Sequence, residues 1–178
     1  MNTTTQNQKG FTLVEIAIVL VIIGLLLGGV LKGQELITNS KIKAVTGDIE
    51  GITAAYYAYR DRTGAVPGDT STPKNGNIDD NTTFWNNLGR EGFIVGGASA
   101  TAPKHDLDGV FSAGNGGMFT GKNYICVDKI KSSIAQGMDT KLDDGNPESG
   151  IIKAGTTATA ATATAYTDTA DTFVCREL

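Results

Sequence analysis

Apolar residues run almost unbroken from Phe11 to Leu31 and after that recur only at spaced positions. The unbroken stretch holds 21 residues with Glu15 as its sole charged side chain. At the helical rise, a segment of that length spans about 31 Å, the thickness of a bilayer hydrocarbon core. Beyond it Ile42, Val45, Ile49, Ile52, Tyr56 and Tyr59 follow one another at spacings of 3, 4, 3, 4 and 3, with Lys43, Asp48 and Glu50 in between and Lys41 and Arg60 at the two ends. That is the seam of an amphipathic helix, one face buried and one wet. Gly64 supplies a stop and Pro67 bars continuation. The pattern therefore predicts one long helix, apolar all round in its first half and two-faced in its second. The glycine pairs 24/28, 29/33 and 47/51, each four apart, allow close helix approach or local softening.

Past Pro67 the elements become short. "TTFWNNLG" predicts a brief helix burying Phe84, Trp85 and Leu88, and "GFIVGG" a short strand. "GMFTGKNYICV" predicts a strand ending at Cys126, and Ile130, Ile134, Met138 and Leu142 mark a short amphipathic helix ending at "DDG". "GIIKA" and "TFVCREL" complete the strands. The Ala/Thr-biased run from 154 to 172 suits an exposed hairpin or a surface loop, and exposure is the expectation. The fold class is α+β: a long N-terminal helix on a small antiparallel-sheet head with short helices. The expected divisions are 1–10, a polar leader; 11–33, the membrane-crossing half; 34–62, the amphipathic half; and 63–178, the head.

Composition narrows the function. The chain has 178 residues and a formal charge of −4, with no stripe of Lys and Arg, so no nucleic-acid partner is expected. Its two cysteines, Cys126 and Cys175, fit no metal-thiolate spacing. A disulfide between them stabilises by about 4 kcal/mol in the chain-entropy model and implies an oxidising compartment. The alternative is two unconnected buried thiols.

Glu15 is the anomaly, because a carboxylate in hydrocarbon costs several kcal/mol unless it is protonated or paired. No cation lies nearby on the same helix face. A cut between Gly10 and Phe11 would create one, a free α-amine that the Glu15 of an adjacent copy could meet. Lys9 lies ahead of the apolar block, on the side held in the cytoplasm, and no small-residue secretory cleavage site follows Leu31.

"KGFTLVEIAIVLVIIG" resembles the leader-cleavage and assembly motif of type IV pilins and of the pseudopilins of type II secretion systems. The resemblance implies that Gly10 precedes the prepilin-peptidase cut, that Phe11 becomes the N-methylated N-terminus, and that Glu15 neutralises the amine of a neighbouring subunit in the filament core. "YRDRTGAVPGD", "TTFWNNLGREGFI" and "KLDDGNPESG" resemble segments of pilin-like proteins more weakly. Many family members carry proline at the position held here by Lys32, so local unwinding of the core helix does not carry over.

Oxygen-rich clusters occur at Asp79 and Asp80, at Asp106 and Asp108, and at Asp143, Asp144, Asn146 and Glu148. Calcium takes six to eight such ligands, though none of these clusters matches an EF-hand. Pseudopilins often bind calcium in a C-terminal loop, which makes Asp143, Asp144, Asn146 and Glu148 the candidate set by resemblance, while Asp and Gly forming turns explain the same residues. His105 is the lone histidine and is expected in solvent. No nucleophile or cofactor motif is present, so no catalysis is expected. The expected protein is a structural subunit of a type IV pilus-like filament, inserted in the bacterial inner membrane as a precursor and outside the cytoplasm once assembled. Its expected partners are copies of itself, prepilin peptidase and the inner-membrane assembly machinery. The alternatives are a type II secretion pseudopilin and a membrane-tethered monomeric binding module.

Overall fold

The structure, a computed structural model, describes residues 10, 12–160, 162–166 and 172–178. The rest of the leader, Phe11, and part of the Ala/Thr-rich run lie outside the described residues. Eight elements follow in order: helix α1 (Leu13–Thr63), helix α2 (Asn81–Arg90), a short 3₁₀ turn (Gly97–Ser99), strands β1 (Phe111–Gly116) and β2 (Phe119–Ile130), helix α3 (Ser132–Leu142), and strands β3 (Ile152–Gly155) and β4 (Thr172–Glu177). The chain divides into two compact units, Met1–Thr38 and Asn39–Leu178, and α1 contributes to both.

In the first unit the stretch of α1 from Leu13 to Leu31 is apolar on all sides but for Glu15, and its large side chains, Leu13 91% exposed, are open among the described residues. No atom lies within 4 Å of where a Cβ would stand on Gly24, Gly28, Gly29 or Gly33. Lys32, at the frequent proline position, forms an exposed ion pair with Glu35 at 2.8 Å.

The second unit is an antiparallel four-stranded sheet in the order β1-β2-β4-β3 with a core on each face. Successive strand residues point to opposite faces, so Ile125 and Val127 enter the larger core while Tyr124 and Cys126 enter the smaller. The seam of α1 lies in the larger core: Val45, Ile49, Ile52 and Tyr56 are buried and Ile42 and Tyr59 pack at its margin. Phe84, Trp85 and Leu88 of α2 join them, as the helical spacing implies. Helix α1 stops after Thr63, where Gly64 adopts a left-handed φ of 70° and donates its N–H to the Arg60 carbonyl at 2.9 Å.

Three sequence expectations are corrected. "GFIVGG" forms turns and a 3₁₀ segment rather than a strand: Gly92, Gly96 and Gly97 all have positive φ, and no strand pairs with it. Phe93 and Ile94 still pack on the larger core, leaving Val95 97% exposed. Strand β2 runs past Cys126 to Ile130, so Ile130 closes a strand and α3 begins at Ser132. The Ala/Thr-rich segment is not wholly exposed. Ala158, Ala160 and Ala163 pack over the smaller core while Thr157, Thr159, Thr162 and Thr164 face solvent, because the outer sheet face needs a thin apolar cover.

That smaller core holds the disulfide. Cys126 and Cys175 stand opposite each other on β2 and β4, are bonded, and are fully buried among Met118, Phe119 and Tyr124. Both outer edges of the sheet are blunted. Ala113 of β1 donates its N–H to Asn81 Oδ1 at 2.8 Å, and on β3 the Ala154 N–H meets the Pro147 carbonyl while its own carbonyl accepts from Thr164.

Candidate processing and assembly site

Glu15 sits in the first turn of α1, and Thr12 stands just before the helix. Three hydrogen bonds tie them together. The Thr12 N–H and Oγ1–H each donate to Glu15 Oε2 at 2.8 Å, and the Glu15 N–H donates to Thr12 Oγ1 at 3.3 Å. This is a reciprocal capping box, which satisfies amides that the first helical turn otherwise leaves bare. Both donors to the carboxylate belong to residues downstream of the Gly10–Phe11 junction, so the box survives a cut there. Glu15 Oε1 accepts no hydrogen bond among the described residues. Gly10 is exposed and outside any element, and Phe11 lies outside the described residues. Thr12 is the residue that the reading of Glu15 passed over; its signal was T-x-x-E ahead of an apolar run.

An 18-residue stretch of α1 has a mean hydropathy of 2.8, and none of it is buried among the described residues. Length and composition suffice to cross a membrane.

In the head, the acidic residues separate by role. Asp80 is the N-cap of α2, its Oδ1 accepting the Thr83 N–H at 2.6 Å. Bonds from the Thr83 side chain and amide hold the Asp80 carboxyl below the usual range. Asp108 has φ of 61° in a tight turn and donates its N–H to the His105 carbonyl. His105 itself is buried, correcting the solvated position expected of it. A bulge in β2, where the register breaks between Val127 and Ile130, brings Asp128 onto this turn. The Leu107 N–H donates to His105 Nδ1 at 3.3 Å, so Nε2 carries the proton and donates to the Asp128 carbonyl at 3.1 Å. Its ring also meets Phe111 edge-on.

The loop after α3 is a network of turns. Asp143 Oδ2 accepts the N–H groups of Ile151 and Ile152, Asp144 accepts from the Asn146 N–H and Ser149 Oγ, and Asn146 Oδ1 accepts the Glu148 N–H. Asp143 and Asp144 are joined by Asp139 from α3, and one oxygen of each lies within 4.8 Å of the others. Asn146 and Glu148 contribute to the turns, and Glu148 is exposed. Asp139 is fully buried, accepting from Tyr166 Oη at 2.6 Å and the Gly145 N–H at 3.2 Å. Burial pushes its carboxyl up, as do the charges of Asp144 and Asp143, against the lowering effect of those two hydrogen bonds. Asp139 escaped the sequence reading because it lies inside a helix rather than in the acidic loop.

Residues 5–31 match the family model of the prokaryotic N-terminal methylation motif, the signature of type IV pilins and pseudopilins. No curated protein matches the chain. The matched motif stands directly ahead of the apolar helix and the small antiparallel sheet, an arrangement similar to that of type IV pilins and pseudopilins.

Proposed function

We propose that the chain is the precursor of a structural subunit of a type IV pilus-like filament. Prepilin peptidase cuts it after Gly10, Phe11 becomes the methylated N-terminus, and the assembly machinery of the bacterial inner membrane draws the apolar helix from the bilayer into a bundle of identical helices outside the cytoplasm. The observation that carries this reading is the methylation motif opening directly onto an apolar helix that is not buried among the described residues.

Glu15 has two roles in this account. One oxygen, Oε2, stays with Thr12 and holds the helix start, while Oε1, which accepts nothing among the described residues, meets the Phe11 amine of the next copy. A heterologous contact of this kind repeats from copy to copy and generates an open helical polymer. Loss of Lys9 with the leader makes the mature side chains one charge more acidic than the precursor's −4, so cohesion comes from helix burial rather than from the heads. Electron microscopy of cells producing the chain tests the reading. Surface fibres made of the mature chain alone support it, and a processed chain that never leaves the envelope as a fibre points to a secretion pseudopilin.

One feature favours that second reading, the oxygen-only group of Asp139, Asp143 and Asp144 in the C-terminal half. Three carboxylates fit a hard cation such as calcium, supplying part of its six to eight ligands, and a bound cation would relieve the repulsion between them. Calorimetry with calcium against chelator tests this: binding raises the unfolding temperature of the wild type and leaves that of Asp144→Asn unmoved.

A further inference from the structure

The geometry points to a binding groove for an anionic phospholipid headgroup between the start of the head's α1 segment and α3. The groove measures about 650 Å³ and lies wholly within the second unit. Its floor is Ile42 against Gly137, where a Cβ on the glycine would stand 2.4 Å from Ile42 Cδ1 and the Ile42 side chain would have to shift to admit it. Its rim carries Lys43 and Lys141, both exposed and neither in an ion pair among the described residues, with the amides of Asn39 and Gln136 beside them. No carboxylate lines it, although the chain as a whole is acidic.

An apolar floor under a cationic rim suits an amphiphile better than a free anion: the phosphodiester meets the ammonium groups and the glycerol and first methylenes cover the floor. The chain supplies the occupant's proximity, since only the seven residues from Lys32 to Thr38 connect the apolar stretch to the groove. A lysine close to an anionic bilayer surface strengthens attachment about 5-fold, so the pair is worth about 30-fold. The site would be filled in the membrane-inserted precursor and emptied as the subunit leaves the bilayer. It rests on that membrane-inserted reading.

The test uses the full chain reconstituted in phosphatidylcholine vesicles with and without phosphatidylglycerol, then extracted in mild detergent for native mass spectrometry. The expected result is one retained phosphatidylglycerol per chain, lost about 30-fold in Lys43→Ala/Lys141→Ala, kept in the charge-matched control Lys129→Ala/Lys131→Ala, and not displaced by inorganic phosphate. Equal retention in both double variants overturns the proposal, as does displacement by phosphate, which would mark a plain anion site. Chains that pair through this groove, with lipid excluded, also overturn it in favour of a second copy as occupant. Alkaline carbonate extraction separates the underlying reading: a chain released by carbonate refutes membrane insertion itself, whereas a resistant chain with lysine-independent retention refutes the lipid groove alone.

Discussion

Substitutions at Thr12 and Glu15 separate the two roles given to the carboxylate. Thr12→Ala removes the N-cap oxygen and both of its bonds to Glu15, a loss of about 1 kcal/mol or about 5-fold in a helix-dependent equilibrium. Glu15→Gln keeps a side chain able to close the capping box but carries no charge. If Glu15 neutralises the amine of a neighbouring copy within a water-excluded bundle, removing that charge strands the amine, at about 3–5 kcal/mol and hence hundreds- to thousands-fold in assembly. Membrane insertion should be unharmed, since removing a charge from an apolar helix only lowers its transfer cost. The assay compares sheared filament with carbonate-resistant precursor, with leader cleavage followed by the change in mass. Thr12→Ala should assemble at a modestly reduced yield, and Glu15→Gln and Glu15→Ala should both be cleaved and inserted yet unassembled. Wild-type filament yield from Glu15→Gln would refute the reasoning and leave Glu15 as a helix cap only.

Replacing both Cys126 and Cys175 by alanine should destabilise the head by about 4 kcal/mol, read by thermal melting, and should hasten proteolysis within 156–166, whose alanines lose the core they cover. Asp80 has a depressed folded pKa, so its contribution is present above the ordinary carboxyl value of 3.8 and is lost as pH falls through the lower folded value. Asp80→Asn, which still caps α2, should therefore lose less melting temperature than the wild type as pH is lowered through and below the ordinary carboxyl value of 3.8. Asn81→Ala orphans the indole N–H of Trp85 and the edge amide of Ala113 together, at about 1–3 kcal/mol each, and opens the β1 edge. Light scattering should then detect concentration-dependent aggregation that Asn81→Asp, which keeps an acceptor, does not produce.

Periodicity made most of the fold legible. The a/d seam from Ile42 to Tyr59 and the cluster Phe84, Trp85 and Leu88 are local signals, and each lies where its spacing puts it. The misread "GFIVGG" has strand-like composition, but its glycines take positive φ and no neighbouring strand offers an edge, which a sequence window cannot register. The Ala/Thr-rich run turned on an equally distant fact, the disulfide-bearing outer face of β2 and β4, whose need for cover decides which alternate residues turn inward. At the candidate site, Glu15 stood out as a charge in an apolar run, whereas Thr12 required reading the residues before the helix as its cap. The role of Asp139 and the burial of His105 became visible only through tertiary placement, one against Tyr166 and the other under the bulge at Asp128.

Assembly of the proposed filament depends on cleavage between Gly10 and Phe11, and intact-mass and N-terminal peptide mass spectrometry of the chain from its producing cells tests it most directly. The mature chain should begin at a Phe11 bearing an N-methyl group, with all ten residues before it gone. A chain that keeps Met1 through Gly10 and remains monomeric in the membrane would contradict it and leave a tethered binding module in its place.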